Sequence, residues 1–275
     1  MTPACKRCVG KLWPNECVPS SVTEISRSFA APFRHPAWLR RVLVGAALEG
    51  LPVLLLLPTI AGIFGHGHRL LPRPGLTLLP VAVLVALAAR FLVLGYLRRV
   101  ALDGTSGRPA GLPAWDQPAE DLVEGLKLWL IAMALWLPAA AVTAGLALLV
   151  MSLTNTAMAW LPVILVGPPA ALATILYLPA GLLSAIVGRN AACAFDVDRV
   201  TAMIGRNLGP YLLAFLVAIA AEIVAQFGLL LCCAGIFATR FAAHCVGVYA
   251  FATVYRDAAP ASVSRAVAVG ATTAP

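Results

Sequence analysis

The run LKLWLIAMALWLPAAAVTAGLALLVM, Leu126–Met151, decides the fold, because its 26 residues carry one charge, Lys127. A helix needs about 20 apolar residues to cross the hydrocarbon core of a bilayer, and inside that core a helix satisfies its own backbone polar groups. Runs of the same kind lie on both sides of it: Val42 to Phe64, Leu76 to Arg98, Met158 to Val187, Pro210 to Ile236, and a weaker last one from Phe237 to Tyr255. Six spans are therefore expected. The composition agrees, with 61% hydrophobic residues, 12% charged and a mean hydropathy of +0.89. Soluble domains carry about a quarter charged residues. The chain reads as an all-α integral membrane protein.

Charge placement orients it. Sixteen of the 20 Lys and Arg fall in the N-terminal tail, the segments near 99 to 125 and 188 to 209, and the C-terminal tail, counting Arg98 and Lys127 at the span ends. Arg69 and Arg73 fall on the other side. Cytoplasmic flanks collect positive charge, so both termini should face the cytoplasm of a bacterial inner membrane. The net charge of +8 then reads as a basic collar for anionic lipid headgroups, with no nucleic acid needed. The first apolar run begins after about forty residues and lacks a small-residue cleavage site, so it is expected to stay as a span. Trp38, Tyr96, Trp115, Trp129, Tyr211 and Tyr255 fit an inner aromatic belt and Trp160 an outer one, with Trp136 as the exception.

Odd-numbered spans begin near Val42, Leu126 and Pro210, 84 residues apart each time. Each follows a short amphipathic stretch, so the expectation is three hairpins, each introduced by an interfacial helix. The first stretch is Phe29 to Trp38. The second starts at Asp116, a candidate N-cap. In the third, Asp196 can cap a helix whose Val197, Val200, Ile204 and Leu208 share a face. The domain division that follows is a Cys-containing tail at 1–25, expected to be disordered, a membrane domain at 26–257, and a flexible tail at 258–275.

Specific residues also match a known pattern. Gly95-Tyr96-Leu97-Arg98-Arg99-Val100, then Leu112-Pro113-Ala114-Trp115-Asp116 and Gly125-Leu126-Lys127, resemble an uncharacterised family of prokaryotic multi-pass membrane proteins, domain of unknown function 4013. Ser28 to Phe33 with Pro36 and Trp38, and Arg206 to Tyr211, are similar to it as well. The resemblance covers 26 to 257, with a longer insert at Thr59 to Pro80. It implies architecture and no activity. Physically, Gly95 permits close helix approach, Tyr96 sits at the interface, Arg98 and Arg99 anchor a helix end, and Pro113 turns the chain ahead of Trp115 and Asp116.

Charges inside spans are the functional leads, since each costs about 2.5–3.5 kcal/mol at mid-membrane on insertion scales unless partnered. Glu49 and Arg90 share a depth of about 11 Å at 1.5 Å per residue, which suggests a buried ion pair. Glu222, Arg240 and His244 form a second candidate cluster, able either to hold helices together or to carry protons. Pro162, Pro168, Pro169 and Pro179 interrupt the fourth span, as a simple kink or as the broken helix of a transport path. Cys5, Cys8 and Cys17 supply three zinc-type ligands, with His35 or a second chain needed for a fourth. His66 and His68 are a weaker metal lead. No phosphate loop, HExxH or GxSxG stands outside the membrane. The expectation is a non-enzymatic binding, scaffold or assembly subunit without a cofactor, which packs through small-residue faces such as Gly45, Ala46 and Gly50. It would contact lipids, copies of itself or other membrane proteins. The alternative is a small transporter or channel lined by the fourth span and Glu222.

Overall fold

A computed structural model describes residues 29–30, 33, 35–64, 74–107, 111–153, 160–231 and 235–258, with the backbone alone at 58–64, 74–78, 162 and 231. Every regular element among them is helical: α1 Trp38–Phe64, α2 Pro74–Ser106, α3 Pro118–Leu153, α4 Trp160–Leu165, α5 Gly167–Gly188, α6 Val197–Arg206, α7 Leu208–Gln226 and α8 Gly235–Ala258. Single 3-10 turns lie at Ala191–Ala194 and Phe227–Leu231. Five stretches are long and apolar enough to cross a membrane: Leu79–Ser106, Pro118–Leu153, Val163–Gly188, Leu208–Leu230 and Gly235–Ala258. The protein is thus a multi-pass membrane protein. Helix α1 is 27 residues long and carries Arg40, Arg41 and Glu49, and it is not one of the five.

The breaks follow from local chemistry. Proline lacks an N–H and is at home in a first helical turn, so Pro168 and Pro169 end α4 and open α5 around Val166. The fourth span is therefore interrupted at Val166 within the single stretch Val163–Gly188, and Pro179 is accommodated inside α5. Helix α5 stops at Arg189, which takes a left-handed backbone conformation, φ 49°. Asp196 caps α6 as the spacing predicts, accepting the Arg199 N–H at 3.2 Å. On α6, Val200 is buried and Ile204 half-buried while Val197 stays exposed, and Leu208, also exposed, is the first residue of α7 and not part of that face. The second amphipathic stretch is not a separate helix. It is the first turns of α3, and Asp116 caps nothing, because α3 starts at Pro118 and its first carbonyl is that of Gln117, which accepts the Asp121 N–H at 2.9 Å.

Helix α8, the least apolar of the five, is the most buried and packs against α1, α2, α5 and α7. Being surrounded by protein, it does not need to match lipid. Phe241 and Cys245 meet Val42, Val93 and Tyr96 on one side, and Phe251 and Val254 meet Tyr211 and Ala214 on the other. Close approach is set by glycine. A Cβ on Gly45 would overlap the Phe241 ring, and one on Gly95 or Gly125 would overlap the backbone of Asp121 or Phe91. Helices α2 and α3 thus touch backbone to backbone, the arrangement small residues permit in membranes. The Gly45, Ala46 and Gly50 face is spent inside the molecule, with Gly45 against Phe241 and Gly50 against Phe237, so it is not a docking face. Tyr96, Tyr211 and Tyr255 are also buried, at 0%, 3% and 7% exposure, which makes them core residues rather than members of an interfacial belt.

Candidate functional site

Three helices bring one imidazole between two carboxylates. His244 of α8 places Nδ1 2.8 Å from Oε1 of Glu49 on α1 and Nε2 3.1 Å from Oε1 of Glu222 on α7. His244 is nine residues from the start of α8, about 14 Å along its axis, so the bridge lies deep between the helix ends. A neutral imidazole has one donor and one acceptor, and an ionised carboxylate only accepts. The Glu49 contact is a hydrogen bond, whereas Glu222 stands at ion-pair distance from the other ring nitrogen. Side-chain exposure rises from 8% at Glu49 to 22% at His244 and 38% at Glu222, so the chain runs from the packed interior to the flank. The carboxylates sit on opposite edges of the ring and do not converge on one point. No group of three metal-ligating side chains occurs among the described residues.

The expected pairs are rearranged. Glu49 meets His244 in place of Arg90, which is exposed and has no ion pair among the described residues. Equal depth fixes the height of a side chain but not its direction. The buried stripe of α2 runs through Ala89, Val93, Tyr96 and Val100, and Arg90 stands about 100° away from Ala89 on the helix. Glu222 and His244 do come together. Arg240, next to the buried Phe241, is exposed and stays out of the cluster. Cys245, beside His244, is buried and reduced, and Cys193 is half-buried. Cys5, Cys8, Cys17, His66 and His68 lie outside the described residues. His35, the suggested fourth ligand, accepts the Ala37 N–H on Nδ1 at 3.0 Å.

At one end of the bundle the motif residues form a clasp. The Tyr96 hydroxyl donates to Pro113 O at 2.9 Å, and its ring stacks on Trp115 with centroids 4.0 Å apart. Trp115 Nε1 donates to Arg41 O at 3.0 Å, and the Arg41 guanidinium donates to Leu112 O. Arg99 reaches Asp116 at 2.7 Å and Asp121 at 2.6 Å. The connection from α2 to α3 is so fastened to the start of α1. Arg99 holds the Asp116 carboxyl below its usual range, chiefly by that hydrogen bond.

Beside the clasp, a cleft of about 630 Å³ opens between α3 and the end of α5. Arg98, Lys127, Arg189, Glu120 and Glu124 stand at it above Leu130, Ile131 and Ile186. Arg98 lies 3.4 Å from Glu124 and 3.8 Å from Glu120, and Lys127 lies 2.7 Å from Glu124. The cleft has no signature in the sequence, since its two walls are about sixty residues apart. The charged pair Arg98 and Lys127 was visible only as span edges.

The family model described as "Protein of unknown function (DUF4013)" matches residues 78–234, more than half of the chain, and the chain belongs to that family. The match takes in the clasp from Gly95 to Asp121 and Glu222, whereas Glu49 and His244 fall outside it. No curated protein and no solved structure matches the chain.

Proposed function

We propose that this protein is a non-enzymatic assembly subunit of the bacterial cytoplasmic membrane, with six spans as three hairpins and both termini in the cytoplasm. One observation supports the reading above others. From Ala132 to Leu153, α3 has no fully buried residue, so the described residues cover only its side toward α4 and α5 and leave the opposite side open. Ala140, Ala141, Ala144 and Gly145 form an exposed small-residue patch there, and a Cβ on Gly145 would meet nothing within 4 Å. Small residues spaced by four let transmembrane helices approach closely, and Gly45, Gly95 and Gly125 of this chain already have such a helix partner. The test is Gly145→Cys in a chain whose seven native cysteines are replaced by serine, oxidised in native membranes and resolved by mass. Cross-linked dimers or a defined cross-linked partner support assembly. Cross-linking no greater than that of a cysteine at the exposed Leu216 overturns it.

The second reading, a small proton-linked transporter, draws on the Glu49–His244–Glu222 bridge. An imidazole that accepts at one nitrogen and donates at the other is suited to pass a proton along such a chain. Neither cavity described in the structure is lined by these three residues. Glu222→Gln discriminates, because an amide still hydrogen-bonds but does not titrate. Vesicles holding a folded Glu222→Gln protein with unchanged proton flux support assembly. Loss of proton flux in that protein moves the assignment to transport.

A further inference from the structure

The cleft between α3 and α5 combines three features that point to one ligand class. Its mouth is cationic and its floor apolar, with Leu130 53% exposed toward the flank that lipid occupies. Two of its three cations are answered by Glu120 and Glu124, but Arg189 makes no ion pair among the described residues, so the cleft retains one net positive charge. Arg189 also occupies a left-handed backbone position at the end of a helix, where glycine is the usual and easier residue. The glycine of this sequence stands one residue earlier, at Gly188, where a Cβ would lie 2.7 Å from Cys193 Sγ. An arginine kept at a strained position, aimed at an amphipathic cleft and left without a carboxylate, is a side chain waiting for an anion.

We propose that this cleft binds one anionic phospholipid from the leaflet at the clasp end of the bundle. Its phosphate would sit at Arg189 with Arg98 and Lys127, and an acyl chain would lie over Leu130, Ile131 and Ile186. Basic pockets between transmembrane helices bind acidic headgroups in this manner, and the volume is that of a small-molecule site. The apolar floor is what distinguishes a lipid from free phosphate, which would leave it wet. The site is independent of whether α3 meets a protein partner and of which side of the membrane the clasp faces.

The full-length protein, purified in mild detergent, is titrated with phosphatidylglycerol, with phosphatidylcholine of the same acyl chains, and with sodium phosphate. Bound lipid is counted by native mass spectrometry, and thermal melting is followed in parallel. One phosphatidylglycerol should bind, about fivefold or more tighter than phosphatidylcholine, as expected for one uncompensated basic side chain, and sodium phosphate should not reproduce the shift. Arg189→Gly should weaken phosphatidylglycerol about fivefold while the lipid-free protein melts at the same temperature or higher, because glycine relieves the left-handed backbone. Arg189→Lys should retain most of the binding. Arg199→Gln, an exposed cation outside the cleft, should leave it unchanged. Equal binding of the two lipids, an equal effect of phosphate alone, or equal losses in Arg189→Gly and Arg199→Gln would each overturn the site.

Discussion

Arg99 ties two acidic side chains on separate segments with one guanidinium, and the two respond differently to its loss. Asp121 is nearly enclosed, its side chain 3% exposed, whereas that of Asp116 is 62% exposed. Arg99→Met should therefore destabilise the protein by about 3–5 kcal/mol through the charge stranded on Asp121, and adding Asp121→Leu should recover much of that. Reversible unfolding in mixed micelles measures both, and additive effects of the two changes would refute the coupling. Asp116 adds a pH dependence. Its carboxyl titrates below the usual value when folded, so its contribution is fully present above the unfolded pKa of about 3.9 and is lost as pH falls through the lowered folded one. The stability difference between the native chain and Asp116→Asn should be constant above about pH 5 and shrink toward zero in more acidic buffer. A difference that grows with acid would reverse the assignment. At this scale the sequence is legible for type and depth. Glu49, Glu222 and His244 stand out because ionisable groups are rare in apolar runs, but which partner Glu49 takes depends on the azimuth of each helix, and that is set by packing between residues about two hundred apart.

Between helices, the α2–α3 crossing is the tightest contact, and its residues are the most readable. Gly95 and Gly125 each remove the one atom that would keep the backbones apart, and the Leu112–Asp116 segment is fastened across the same crossing by Tyr96 and Arg99. Gly95→Ala should cost about 1–3 kcal/mol or more, since the obstacle is the Asp121 backbone and no side chain can turn aside. The same change at Gly145 should be close to neutral because its Cβ would meet open space. Similar losses at both positions, measured by thermal melting, would show that propensity rather than contact governs α3. The proline break in the fourth span was legible as a break but not as to its kind, because proline kinks some membrane helices and ends others. The two adjacent prolines at 168 and 169 decide it here.

For the molecule as a whole, the described basic side chains other than Arg90 and Arg240 gather at the clasp end, with Arg40, Arg41, Arg98, Arg99, Arg189, Arg199, Arg206 and Arg256 on helix ends or the turns beside them and Lys127 in the third turn of α3. That asymmetry predicts a cytoplasmic C-terminus. An alkaline phosphatase fusion after Pro275 should be inactive and a fluorescent-protein fusion bright, and the reverse result would invert the orientation. The overall helical membrane architecture could be read from apolar run length alone. The central place of α8 could not, because run length measures affinity for lipid, and a helix enclosed by other helices is released from that requirement. Its weak hydropathy is the trace of that position.

This placement bears on how the protein is made. Helix α8 leaves the ribosome after every helix it packs against, yet it supplies the surface on which α1, α2 and α7 meet, including the imidazole that answers Glu49 and Glu222. Until it arrives, α1, α2 and α3 can already pack on one another, but the Gly45 hollow is empty and Glu49 and Glu222 lack their imidazole. A chain interrupted before Gly235 is therefore expected to stay an unfinished bundle, and membrane proteases should clear it faster than the full-length protein.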